Sequence, residues 1–324
     1  MVVGNRLEWI DWMKSLGIYL IVLGHFYSVG EKFIYIFHVP LFFLISGILS
    51  KREEDDSIFW KKIWYNLAVP MLIMATLNFI LYCILQIWCG SFHFSDLYWF
   101  IRNILFGMVS GYGNLWFVYT LILLKISFQY CKSILLFCFL FVLMLALAYI
   151  YNNSDVSTCP FFLKEPNAVV NVCTAFPFFA FGVFLHDYRT IINGWNHRKM
   201  LFFIIICGLL LVSICYYYNG SAGLYRCNYG SNIFLFLIGG VAGSMMIFAA
   251  SKIIGHAPQT VTIISQGTII VLGFHKLFVE LFRVFFPASY LDIIFAALIV
   301  IIFIPVIVAI EKFFPLMAGK YRLK

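Results

Sequence analysis

Two histidines, His25 and His38, fall inside the run IVLGHFYSVGEKFIYIFHVPLFFLISG, from Ile21 to Gly47, which otherwise reads as membrane helix. An imidazole titrates near neutral pH, so it can take up a proton or pass one on. Ionisable groups in hydrocarbon are costly and usually face a bundle interior, a cavity or a partner. Lys14 lies eleven residues before His25, and eleven helical steps of about 100° bring both side chains onto one face, about 16 Å apart. Asp11, three residues before Lys14, joins that stripe. Pro40 follows His38 closely; its ring removes an amide donor and frees carbonyls one turn back, a break tolerated where backbone lines a cavity. The short connection at 30–32 makes the flanking helices antiparallel neighbours, with His25 and His38 both about 7–9 Å below the surface by helical rise. Facing each other across this hairpin, one imidazole would act as base while the other orients it or relays the proton. His275, followed by Lys276, is open between interhelical packing and a place in the site.

The elements that must hold these residues follow from composition. Of 324 residues, 63% are hydrophobic and 11% charged, with a mean hydropathy of +0.96, far from soluble globular composition. Apolar runs bounded by polar breaks give candidate spans at roughly 10–29, 33–49, 66–88, 114–131, 133–151, 168–186, 200–218, 232–251, 265–286 and 290–311, each near the length of about 20 residues that hydrocarbon requires. They are continuous rather than alternating, which excludes barrel strands. The expected fold is an all-α integral membrane protein, a bundle of about ten transmembrane helices. The first run carries Asp11 and Lys14 and lacks a small-residue cleavage site, so it is expected to remain as a helix. Alternating sides along the chain puts fourteen basic residues on one face and five on the other, with Lys14, Lys125 and Lys276 inside helices. That bias predicts both termini in the cytoplasm. The net charge of +8 then serves orientation and contact with anionic lipid, and without aromatic-interleaved basic runs no nucleic-acid partner is expected. Nine cysteines show neither C-x-x-C pairs nor zinc spacing, so no metal is expected; Cys159 and Cys227, in two outer loops, are candidates for a disulfide. Trp99, Tyr112, Tyr217 and Tyr225 lie near the outer rim, where an interfacial aromatic belt is the safer reading.

The order of Lys14, ten residues, Gly24–His25, and then FHVPLFFLISG at Phe37–Gly47 resembles the membrane acyltransferase-3 family, integral O-acyltransferases that modify surface polysaccharides. FWKKIWYNLAVP ending at Pro70, GNLWFVYTLILLK, and SQGTIIVLGFHKLF with His275 resemble further segments of that family. A lysine at position 14, where the family usually has arginine, resembles its fucose-4-O-acetylase-like branch, and Asn66 stands where a basic residue often precedes the proline. The resemblance implies one transmembrane acyltransferase domain over 1–324 in the cell (inner) membrane. It would move an acetyl or other acyl group from cytoplasmic acetyl-CoA to a sugar hydroxyl of a surface polysaccharide or its lipid-linked precursor. Membrane lipid, a saccharide acceptor and acyl-CoA are then the partners. His25 would be the base or transient acyl acceptor, with His38 beside it; Lys14 and Asp11 would serve the CoA end; Trp116, Tyr119 and His275 would shape the pantetheine or sugar site. The alternative is a transporter or flippase of a lipid-linked sugar, with the histidines as proton relays. Pro40 and Pro305 lack the half-chain counterparts that such repeats would show.

Overall fold

The computed structural model describes residues 7–27, 30–107, 115–154, 168–224 and 228–320. The helices run in the order α1 (Glu8–Gly24), α2 (Glu31–Tyr35), α3 (His38–Ile48), α4 (Asp56–Ile63), α5 (Val69–Trp88), α6 (Ser95–Phe106), α7 (Leu115–Tyr130), α8 (Ile134–Asn153), α9 (Ala168–Asp187), α10 (Arg189–Asn193), α11 (Arg198–Asn219), α12 (Ile233–Ile254), α13 (Gln259–Gln266), α14 (Thr268–Phe285) and α15 (Asp292–Phe313). A π turn, Trp64–Ala68, joins α4 to α5. Pro70 has no amide proton for the Asn66 carbonyl, and the wider turn absorbs the missing bond.

Among the described residues, seven segments are long and apolar enough to cross a membrane: Glu31–Ile48, Asp56–Trp88, Ile134–Asn153, Val170–Asp187, Arg198–Asn219, Ile233–Ile254 and Asp292–Phe313. The other three expected spans, 10–29, 114–131 and 265–286, are not among them. Helix α1 has 17 residues, the described residues of 114–131 begin at Leu115 and give the 16 of α7, and the run 265–286 divides at Gly267 into α13 and α14. Lys276, Glu280 and Arg283 make α14 too charged to count on apolarity alone. Two of these three, α1 and α14, are the ones that carry His25 at the C-cap and His275.

Helix α1 sits in the middle, contacting α3, α12, α13, α14 and α15, with Met13, Ile18 and Val22 fully buried. Helix α8 turns Ile134, Leu135 and Val142 outward, as lipid-facing surface should. The start of α1 is tied to α13 and the turn before it. Ser265 donates to Asp11 Oδ1 at 2.6 Å, Ser15 donates to the Val261 carbonyl at 3.0 Å, and Trp12 donates to the His256 carbonyl at 3.1 Å. Helices α3 and α9 cross at Gly47 and Gly182, where a Cβ on either would run into the other's backbone. Such small-residue crossings are the usual means of close helix packing in lipid.

Two expected boundaries move. Helix α1 ends at Gly24, not near residue 29, with His25 as its C-cap and Tyr27 in the left-handed region at φ 52°. The expected helix 33–49 breaks at Ile36–Phe37. Pro40 lies in the first turn of α3, where an absent N–H costs nothing. The Phe37 ring fills the notch at Gly243 of α12, which pins the break. Cys159 and Cys227 lie outside the described residues, as do Tyr112 and Tyr225. Tyr217 and Trp99 are exposed, consistent with a belt.

Candidate active site

The end of α1 and the start of α3 carry the two histidines to the wall of one cavity, about 100 Å³ in volume, also lined by Tyr27, Glu31, Lys32, Tyr35, Trp116, Asn228 and Lys276. A water needs roughly 10–15 Å³ of such space, so the cavity is large enough for small reacting groups. One wall is the segment 221–224 with Asn228. Asn219 holds this segment in place, donating to the Tyr229 carbonyl at 2.8 Å and accepting from the Asn232 amide at 2.6 Å. Buried Tyr229 shares a hydrogen bond with Thr174 of α9.

Hydrogen bonding fixes the proton positions on the rings. Nδ1 of His25 lies 2.8 Å from the Ile21 carbonyl, Nδ1 of His38 2.9 Å from that of Ile34, and Nδ1 of His275 2.8 Å from that of Val271. A carbonyl only accepts, so each neutral ring carries its proton on Nδ1 and a lone pair on Nε2. His275 Nε2 lies 3.3 Å from His25 Nδ1, with ring centroids 4.7 Å apart and planes at 80°. His275 therefore accepts from the shared His25 Nδ1–H, and His25 Nε2 keeps its lone pair for a substrate proton. Sequence spacing pointed to His38 as the ring meeting His25. Both line the cavity, yet the ring in contact with His25 is fully buried His275, while the aromatic neighbour of His38 is Tyr35 at 4.8 Å.

The turn that aims His25 is held by a group that sequence reasoning missed. Arg283 of α14 donates to both carboxylate oxygens of Asp292, at 2.9 and 2.7 Å, and also to the carbonyl of Phe26, the residue after His25. Its guanidinium stacks over the Phe26 ring, 4.8 Å from the centroid. Asp292 is fully buried. The signal available was spacing: Arg283 stands eight residues after His275, on the same helical stripe.

The remaining expected residues separate. Trp116 lines the cavity; Tyr119 is not among the lining residues, and its hydroxyl donates to the Leu105 carbonyl at 3.3 Å. Asp11 is buried and holds Ser265, about four turns from His25 by helical rise. Lys14 lies within electrostatic reach of Lys125, whose Nζ donates to Ser50 Oγ at 3.3 Å. Two ammonium groups are thus near each other, and Lys125 is a residue that sequence reasoning left without a role. Among the described residues no three His, Cys, Asp or Glu side chains are grouped as metal ligands.

Comparison with curated proteins and with solved structures gives no match. The acyltransferase-3 profile, described as an acyltransferase domain, matches residues 7–312 of the 324, a span that contains the three rings, the Arg283–Asp292 pair, Lys14 and Lys125. The chain belongs to the acyltransferase-3 family and is a multi-pass membrane acyltransferase.

Proposed function

We propose that this protein, as one domain over 1–324, moves an acetyl group from cytoplasmic acetyl-CoA to a hydroxyl of a saccharide, on a surface polysaccharide or its lipid-linked precursor, at the cell membrane. The observation that carries the reading is the unoccupied lone pair of His25 Nε2, on a ring oriented from behind by His275 and set in a cavity wall with His38. In the reaction, the acceptor hydroxyl gives its proton to His25 Nε2 as its oxygen bonds the acyl carbon. The carbon–sulfur bond then breaks, and the CoA thiolate leaves with that proton. His38 holds or relays a proton of the acceptor, and Trp116 packs against it. At the other end Lys14 and Lys125 offer paired positive charge to the CoA phosphates, with an extended pantetheine arm spanning the bilayer depth between them and the histidines. Asp11 holds α1, and so Lys14, in register with α13. Ten spans with both ends cytoplasmic place the lysines on the acetyl-CoA side and the cavity mouth on the acceptor side.

The test uses membranes carrying the full chain, supplied with radiolabelled acetyl-CoA. His25→Ala is expected to lower glycan labelling by about 10²- to 10⁴-fold, the contribution of a positioned base, with expression and insertion intact. Labelling that stays at the wild-type level in this variant would remove His25 from the mechanism.

A further inference from the structure

Acyl transfer creates two charges at once, a proton on the base and a negative charge on the former carbonyl oxygen, and the second requires its own stabilising group. Among the groups that line the cavity, several are already engaged or badly placed. The Gly223 amide donates to the Asn228 carbonyl at 2.6 Å, and Lys32 and Ser221 are exposed at the rim. Lys276 differs from these. It follows His275 in α14, so one helical step turns its side chain from the buried contact with His25 toward the cavity wall that it lines. It is half-buried and lies within electrostatic reach of both His25 and His275. No described carboxylate pairs with it: the ion pairs of the described residues join Lys62 to Glu53, His256 to Glu8, Arg283 to Asp292 and Lys320 to Glu311. Glu31 lines the same cavity and forms no ion pair with Lys276, which leaves the ammonium open to an anionic group of the substrate.

We infer that Lys276 is a catalytic residue whose ammonium stabilises the oxyanion formed at the acyl carbonyl carbon while His25 takes the acceptor's proton. The inference rests on the acyl-transfer reading above. It assigns the electrostatic half of that reaction to α14, which also supplies the ring that orients the base. The substrate atom facing Lys276 is thereby the carbonyl oxygen of the donor.

The experiment compares wild type, Lys276→Met and Lys276→Arg in membranes over a range of labelled acetyl-CoA concentrations, with thermal stabilisation by CoA as a second readout. Methionine keeps the length and apolar stem and removes the charge. K276M is expected to lose about 10²- to 10³-fold in kcat, the scale of removing one oxyanion donor, with KM for acetyl-CoA within about threefold and stabilisation by CoA retained, while K276R keeps more activity than K276M. Transfer by K276M within about threefold of wild type would overturn the inference and leave the base assignment standing. A loss that added acceptor glycan restores would also overturn it, making Lys276 an acceptor-binding group. Should K276M fail to reach the membrane, the ratio of K276R to K276Q activity decides in the same way, equal rates counting against the charge. Wild-type membranes that incorporate no label would overturn the acyl-transfer reading and this inference together.

Discussion

His25, His38 and His275 each present Nδ1 to the carbonyl four residues earlier, so the fold, rather than the substrate, decides which nitrogen is basic. His25 differs in having a second acceptor behind it, His275 Nε2, which limits rotation of the ring and holds Nε2 toward the cavity. Replacing His275 with Leu removes that acceptor, leaves the Ile21 contact, and is expected to lower acyl transfer by about 10- to 100-fold, the range seen when a group orienting a functional histidine is lost. His275→Gln, whose amide oxygen can accept, should retain more. Rates of label transfer at saturating acetyl-CoA measure this, and an H275L protein as active as wild type would show that the ring is merely packed. At this scale the sequence was partly legible. The eleven-residue spacing from Lys14 to His25 reflects local geometry, which sequence encodes directly. The contact between positions 25 and 275 depends on how α14 packs, and no local pattern carries that. Tyr119 shows the same limit: its neighbour Trp116 reaches the cavity, whereas its own hydroxyl is drawn to Leu105.

The helix ends that place these rings rest on two devices. At the end of α1, Tyr27 adopts φ 52°, a conformation that costs a non-glycine residue about 1 kcal/mol, and Arg283 holds the preceding carbonyl while paired to buried Asp292. Arg283→Met leaves that carboxylate buried without its partner and is expected to destabilise the protein by about 3–5 kcal/mol, whereas Arg283→Met with Asp292→Leu should recover much of the loss. Thermal unfolding in detergent tests it: a single variant melting with wild type would show the pair to be dispensable. At the α3–α9 crossing, Gly47→Ala is expected to cost about 1–3 kcal/mol or more through overpacking, because its Cβ meets the backbone of α9; equal melting of G47A and wild type would contradict the close approach. Hydropathy reads the long apolar helices α8, α11, α12 and α15 well because lipid demands continuous apolar sequence. It reads 33–49 and 265–286 as continuous because their breaks are set by packing, Phe37 against Gly243 and Ile307 against Gly267, contacts with partners far along the chain.

Across the whole molecule, polar function divides between the two ends of the bundle. The histidine cavity is built from the end of α1, α2, the start of α3, the start of α7, the segment after α11 and the middle of α14. Near the other end, Lys14 and Lys125 approach each other, and Arg52 donates to the carbonyls of Phe128 and Cys131. Only one orientation serves the proposed reaction, with the lysine end toward cytoplasmic acetyl-CoA, and it is also the orientation that the basic-residue bias favours. Exposed Cys89, between α5 and α6, and exposed Glu54, before α4, fall on opposite sides in that arrangement. In a protein keeping Cys89 and lacking the other eight cysteines, a membrane-impermeant maleimide added to intact cells is expected to label Cys89. Glu54→Cys, introduced after Cys89 is also replaced, should label only once the cells are permeabilised. The reverse pattern would turn the cavity mouth toward the cytoplasm and set the lysines on the outside. Donor and acceptor would then have to approach from sides opposite to those proposed, and the path from CoA through α1 to His25 would fail even with every residue contact intact.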